Sequence, residues 1–153
     1  MVTAGGFDKE LMRLMRQATE ILVVTTSGPG LVEITDRILP WVGNQTMNAG
    51  LLTIFCQHTS ASLLIQENAA AAVRADLEAF FSRIAPEDAD AYSHHDEGPD
   101  DMPAHLRTAL TQVQLTIPLL SGRLALVTCQ GIYLFEHRRQ SHKRTIALHL
   151  IGE

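Results

Sequence analysis

Apolar residues in this chain fall into short runs of strand length, each closed by turn-forming residues, and this segmentation limits the fold more than any other feature. Residues 20–26 (EILVVTT) are apolar and β-branched and stop at Ser27-Gly28-Pro29-Gly30, a strong turn signal; a second short strand is expected over 31–34. Residues 51–58 (LLTIFCQH) and 61–66 (ASLLIQ) are joined by Thr59 and Ser60, which leaves open two strands or one long strand with a bend. Four more strand-like runs follow at 114–117, 123–128, 132–135 and 145–151, with Pro118 and Ser121-Gly122 expected to make the first turn among them. None approaches the roughly 20 apolar residues that a membrane helix requires.

Helical spacing appears in fewer places. Ile34, Ile38, Trp41 and Val42 recur every three to four residues, which predicts a helix over 36–42 closed by Gly43-Asn44. Val73, Leu77, Phe80, Phe81 and Ile84 do the same across an alanine-rich segment, predicting a helix over 69–84 with Asn68 as its N-cap. Residues 86–102 are polar, crowded with acids and histidines, and aperiodic, so a long loop is expected, ending where a helix starts at Pro103. The total is an α+β chain dominated by strands. With 153 residues and 46% hydrophobic content it makes one core and one domain, residues 19–153. Residues 1–18 form an N-terminal extension, in which Leu11, Met12, Leu14 and Met15 predict a short helix over 7–17.

A net charge of −5 argues against nucleic acid or an anionic membrane as partner, because both are bound by clustered Lys and Arg. The local exception is the run Arg138, Arg139, Lys143 and Arg144. Residues 1–8 carry no basic end followed by an apolar stretch, so a cytoplasmic location is expected. Cys56 and Cys129 both fall in expected strands, outside any metal-ligand spacing, and are read as reduced, buried thiols.

Three separated stretches, QHTSASLLIQEN (57–68), HDEGPDDMPAHL (95–106) and TCQGIYLFEHR (128–138), resemble the motifs of the YjbQ-like (UPF0047) family, in the same order, from about Thr19 to Glu153. The resemblance implies a mixed sheet curled into a barrel-like sheet with a few helices, three subunits about a threefold axis, and a weak, secondary thiamine-phosphate synthase activity. That reaction joins an aminopyrimidine pyrophosphate to a thiazole phosphate and releases pyrophosphate. One departure is Val127-Thr128-Cys129-Gln130-Gly131, where the family often reads GTWQG; loss of the tryptophan alters a pocket wall.

Histidines cluster in these motifs. Neutral imidazole is a common nitrogen ligand for zinc, so His58, His94 and His105, with Asp100, are the expected metal ligands. His94 and His95 point to opposite sides of an extended segment, and His94 is preferred from the family's spacing. The acidic turn at Glu97 to Asp101 suits Mg²⁺ equally, since that ion takes oxygen ligands. Glu97 is the first choice for a general base or metal ligand; Asp101 is read as solvated or as stabilising the following helix. Glu136 and His137 complete the expected catalytic set, and Arg138 is expected to grip phosphate with its guanidinium fork. Arg139, Lys143 and Arg144 are read as solvated turn charges, and Ser60 and Ser62 as no part of a catalytic relay with His58. Glu67 and Asn68 precede a helix N-terminus suited to an anion, while Gln130 and Gly131 offer an amide and an open backbone, so these four are expected to bind substrate.

The expected function is a metal-assisted displacement of pyrophosphate from a small phosphorylated substrate, with Mg or Zn as cofactor. Alternatives are a metal-dependent phosphoester hydrolase and a non-enzymatic trimer that binds a phosphorylated metabolite or a metal.

Overall fold

A computed structural model describes residues 15–153, Ala89 by its backbone alone. The helix expected over 7–17 lies mostly outside those residues, and its last two, Arg16 and Gln17, are strand. The elements run β1 (Arg16–Thr25), β2 (Gly30–Glu33), α1 (Thr35–Asn44), β3 (Gly50–Cys56), β4 (Ala61–Glu67) and α2 (Ala71–Ile84). After a short 3₁₀ turn (Ala89–Ala91) come α3 (Asp101–Leu110), β5 (Gln114–Leu120), β6 (Arg123–Leu124), β7 (Gln130–Glu136) and β8 (Lys143–Gly152).

The strands form two sheets, in the orders β1-β8-β3-β5-β6 and β2-β7-β4, curled into a half-barrel. Every strand pairing is antiparallel, where a mixed sheet was expected. Residues 51–66 are two strands, one in each sheet, so Thr59 and Ser60 mark the crossing between layers. Strict alternation along β8 and β5 sends Ile146, Leu148, Leu150, Leu115, Ile117 and Leu119 inward. They meet Leu63 of β4, Ile132 and Leu134 of β7, and Ile38 and Val42 of α1 in one core. Gly50 and Gly152 face each other across β3 and β8, and a Cβ on either would collide with backbone of the other strand, so both positions need glycine.

Several local expectations are corrected. Pro118 lies within β5, near an edge flanked only by the two-residue β6, and the turn is made by Ser121 and Gly122, both with positive φ. Gly43 and Asn44 belong to α1, which ends at Gln45. Asn68 does not cap α2, whose N-cap is Ala70 without a side-chain bond. Pro103 is third in α3 rather than first. Cys56 is buried, but Cys129 is exposed in the turn before β7.

β7 is buried on both faces, from Gly131 to Glu136. Its core face carries Ile132 and Leu134, and on the other face Phe135 meets Phe81 of α2 edge to face at 5.4 Å. At its C-terminal end a polar joint ties the two sheets together. Glu136, fully buried, accepts from Arg144 of β8 through Nε at 2.7 Å and Nη2 at 2.5 Å. It also accepts from the Thr26 hydroxyl beyond β1 at 2.8 Å and from the backbone N–H groups of His137 and Arg138, each at 3.0 Å. Arg144, expected to be solvated, is 3% exposed. Burial alone would raise the Glu136 pKa, but Arg144, the Arg138 N–H and Thr26 outweigh it and hold the carboxyl below its ordinary value. Glu136→Leu strands the Arg144 charge in the interior and should cost about 3–5 kcal/mol, read as a lower urea midpoint with an unchanged slope.

Candidate functional site

Asp101, His105 and Thr108 lie four and then three residues apart on α3, so they share one face of the helix. The preceding loop brings His94 to the same place. His94 Nε2 lies 2.8 Å from Asp101 Oδ2, and His105 Nε2 lies 3.6 Å from Asp101 Oδ1. The ligand-capable atoms of the three residues all fall within 4.8 Å of one another. A tetrahedral zinc with bonds of about 2.0–2.1 Å holds its ligand atoms about 3.3 Å apart; His94 is nearer than that to Oδ2, and His105 farther than that from Oδ1.

Two features prepare these atoms for a cation. His105 Nδ1 lies 2.9 Å from the Thr59 carbonyl, which can only accept, so Nδ1 carries the proton and the Nε2 lone pair is left facing Asp101. Asp101 is 1% exposed, yet its Oδ2 has no hydrogen-bond partner despite the close approach of His94. At 2.8 Å His94 and Asp101 form an ion pair when the imidazole is protonated, and Oδ2 is otherwise left without a donor. Asp101 Oδ1 is meanwhile occupied by Arg138 Nη1 at 2.5 Å.

Arg138 organises the whole acidic turn. Its Nε donates to Asp100 Oδ2 at 3.0 Å, Nη1 also reaches Glu97 Oε2 at 3.3 Å, and Nη2 donates to the Glu97 carbonyl at 2.9 Å. Asp100 Oδ2 further accepts the Arg139 N–H at 2.8 Å. Burial opposes charge on Asp100, but the Arg139 N–H and the Arg138 guanidinium prevail and lower its pKa. Arg139 itself is exposed and pairs with Glu87.

The expected site residues therefore separate. His94 and His105 come together, with Asp101 in the place expected for Asp100, whose carboxylate is committed to Arg138 and Arg139. His58 is apart from them: its Nε2 accepts the Thr145 N–H at 2.7 Å, which uses the lone pair a metal would need. Arg138 has three carboxylates and a carbonyl on its fork and no room for phosphate in this arrangement. Glu97 is largely solvent-exposed, held to Arg138 rather than to the histidine pair. Glu136, with five donors, is a structural joint and has no free lone pair for a proton. His137 is 1% exposed, bonded through Nε2 to the buried Ser62 hydroxyl at 2.9 Å, and sealed from substrate.

Glu67, Asn68, Gln130 and Gly131 stand at the other end of the β4–β7 ladder, six residues from the Ala61–Glu136 pair and thus about 20 Å away. There the Asn68 amide approaches Glu33 Oε1 at 3.5 Å, the Tyr133 hydroxyl donates to Glu33 Oε2 at 3.3 Å, and Gln130 Oε1 accepts the Val127 N–H. A Cβ on Gly131 would lie 2.6 Å from Glu33 Oε1, so this glycine makes room for the carboxylate. Glu33 escaped the sequence reading because nothing in its flanking residues distinguishes it from an ordinary exposed strand acid.

A groove of about 900 Å³ opens beside the His94–Asp101–His105 cluster. His105 lines it together with Phe55, Cys56, His58, Ala109 and Val113, so the cluster and the groove share a side chain. A second, more polar hollow of about 670 Å³ lies by Glu33, Asn68, Arg123 and Gln130.

Comparison with known sequences now decides the relationship. The family model for UPF0047 proteins (YjbQ-like) matches residues 19–153. The chain belongs to the UPF0047 family. A UPF0047 protein of Synechocystis sp. is 48% identical over 138 residues, covering 90% of this chain and 94% of the relative. The UPF0047 protein YjbQ of Escherichia coli O157:H7 is 40% identical, covering 86% and 96%. Among solved structures, a protein of unknown function from Sulfolobus solfataricus superposes with a TM-score of 0.84 at 23% identity over 92% of this chain and all of its own, which shows the shared fold. A conserved hypothetical protein of Thermus thermophilus has a TM-score of 0.74 at 30% identity, covering 84% and 97%. These UPF0047 relatives carry no stated activity. No helix among the described residues is long and apolar enough to cross a membrane.

His137 generates a pH prediction. Burial first, then the Arg107 charge, pushes its pKa down from 6.5 to about 3. The unfolded chain therefore binds a proton below pH 6.5 that the folded chain refuses, and stability falls as pH drops through that window. Between pH 6.5 and 5.5, a unit above the ordinary value of the Glu136 carboxyl, the slope due to His137 is at most about 1.4 kcal/mol per pH unit. His137→Gln should remove close to one proton from the uptake on unfolding, measured by urea titrations across those pH values.

Proposed function

We propose that this protein is a metal-dependent hydrolase in which His94, Asp101 and His105 hold a zinc ion and a water takes the remaining position. The observation that carries the reading is the unpartnered Oδ2 of the buried Asp101, 2.8 Å from His94 Nε2, with the His105 imidazole, its tautomer set by Thr59, gathered at the same carboxylate. Two nitrogens and one carboxylate favour zinc over magnesium, which prefers oxygen and keeps several waters. Zinc so held lowers the pKa of its water to about 7 and provides a hydroxide nucleophile without a separate general base. Arg138 acts from behind, fixing the Asp101 carboxylate so that its free oxygen faces the ion.

The pyrophosphate-displacing reading, thiamine-phosphate synthase-like, draws less support. It must hold two phosphorylated substrates, and beyond the metal itself the arginine expected to grip phosphate, Arg138, is taken by carboxylates, as is Arg144. The hydrolytic reading needs neither.

We propose also that the chain assembles with copies of itself as a trimer, as the family resemblance implies. Ile21, Val23, Leu51 and Leu120 are exposed on the outer face of the five-stranded sheet, Ile21 and Val23 on its edge strand β1. Sedimentation of wild type should give a trimer, and the double variant Ile21→Lys, Val23→Lys a monomer; a monomeric wild type rejects this assembly.

The metal is tested by calorimetry on chelator-treated protein. Wild type should bind one Zn²⁺ per chain, Asp101→Asn and His105→Ala should lose about 100-fold or more in affinity, and Glu67→Gln, at the far end of β4, should bind as wild type. Unchanged affinity in Asp101→Asn and His105→Ala rejects the assignment.

A further inference from the structure

The groove beside the histidine pair has a composition that the metal site alone does not require. Among the described residues lining it there is no Asp, Glu, Lys or Arg. Beside the two histidines, Phe55, Cys56, Ala109 and Val113 line it together with Gln57, Ser60 and three threonines. Burial drives the Cys56 pKa up to about 11, so that wall stays an uncharged thiol at neutral pH. His58 on the opposite side is also kept neutral, by burial and then by Arg144. Arg144 is spent on Glu136 and Arg138 on Asp100, Asp101 and Glu97, while the buried Arg107 turns to the Ala85 carbonyl.

A multiply charged ligand entering such a groove loses hydration and gains no counter-charge except the metal itself, an unfavourable exchange. An apolar chain gains by leaving water, about 0.8 kcal/mol for each buried methylene. The volume, about 900 Å³, is within the range of small-molecule pockets. His105 belongs to both the groove and the metal cluster, so a ligand lying along the groove reaches one of the side chains that would hold the metal.

Resting on the hydrolase reading above, we infer that the substrate is an uncharged acyl compound, an ester or amide, whose apolar acyl portion lies along Phe55, Ala109 and Val113 with its carbonyl at the metal. His94, Asp101 and His105 would hold the zinc that activates a water; the water oxygen would add to the carbonyl carbon, the bond from that carbon to the leaving oxygen or nitrogen would break, and the leaving group would take one proton of the water. One water is consumed and nothing is oxidised or reduced.

The test uses the full-length, zinc-loaded protein and neutral alkyl hydroxamates, which present a carbonyl to zinc, with phenylphosphonate as the anionic comparator. Zinc binding is measured first, as above. Calorimetry should then show affinity rising about two- to fourfold for each methylene from acetohydroxamate to hexanohydroxamate, with phenylphosphonate weaker than the hexanoyl ligand. Ala109→Trp, at an exposed helix position on the groove wall, should abolish the chain-length gain while leaving zinc affinity unchanged. Wild type should hydrolyse p-nitrophenyl hexanoate with a lower KM than p-nitrophenyl acetate, and the zinc-free protein should hydrolyse neither above the rate of protein lacking His105. If zinc binds but affinity is flat with chain length, or phenylphosphonate binds more tightly, the acyl inference fails and the metal site stands. If zinc does not bind, both fall.

Discussion

The Glu136 carboxylate is the point on which the rest of this end of the molecule depends. It is fully buried and surrounded by five donors drawn from both sheets. A buried charge of this kind is tolerated only when paired and saturated, and here saturation imposes geometry. Two of the donors are the successive N–H groups of His137 and Arg138, so the chain leaving β7 must curl around the carboxylate. That curl points Arg138 at the acidic turn, and Arg138 in turn holds Asp101 with one oxygen occupied and the other free. The His94–Asp101–His105 cluster is thus two links from the buried Arg144–Glu136 ion pair: Glu136 to the backbone of Arg138, and the Arg138 side chain to Asp101.

The same links explain why so many basic residues yield so little available positive charge. A run of Arg138, Arg139, Lys143 and Arg144 looks in sequence like an anion-binding patch. In space, Arg138 meets three carboxylates, Arg144 meets Glu136, and Arg139 meets Glu87. Carboxylates from residues 87–101 and from β7 have been brought to the arginines by the fold. The charge is used to hold a loop without regular secondary structure against a sheet, a task that apolar packing cannot perform for so polar a segment. The neutral groove follows from this arrangement.

Periodicity disclosed the strands well because the sheet faces differ: β8 and β5 alternate strictly, and a period of two can be read from residues alone. β7 was equally visible for the opposite reason, an unbroken apolar run that only a strand covered on both faces can use. The helices were found from their spacing, but their ends were not. Asn68 and Pro103 have the right chemistry for a boundary, yet Asn68 turns toward Glu33, and Asp100, at the position before α3, spends its side chain on Arg138 instead of the helix; Gly43 misses the end of α1 by one residue. Cys129 resisted the reading because residues 123–128 carry strand composition but mostly form the turn that leads into β7.

The candidate site was legible only in part, and the reason is the difference between local and long-range information. His94, His105 and the acidic turn lie within one stretch, and the four-residue step from Asp101 to His105 is a helical spacing that sequence does contain. Choosing Asp100 over Asp101 was a matter of one residue, about 100° around a helix axis, and only the position of Arg138 distinguishes the two. Pooling these residues with Glu67, Asn68, Gln130 and Gly131 fails for a different reason. Motifs adjacent in sequence to the same strands can occupy opposite ends of them, and a seven-residue strand is long enough to separate two sites completely. Membership in one motif carries no information about which end of a strand a side chain occupies. That information resides in the register, here Ala61 opposite Glu136 and Glu67 opposite Gln130, and the register is set by the whole core.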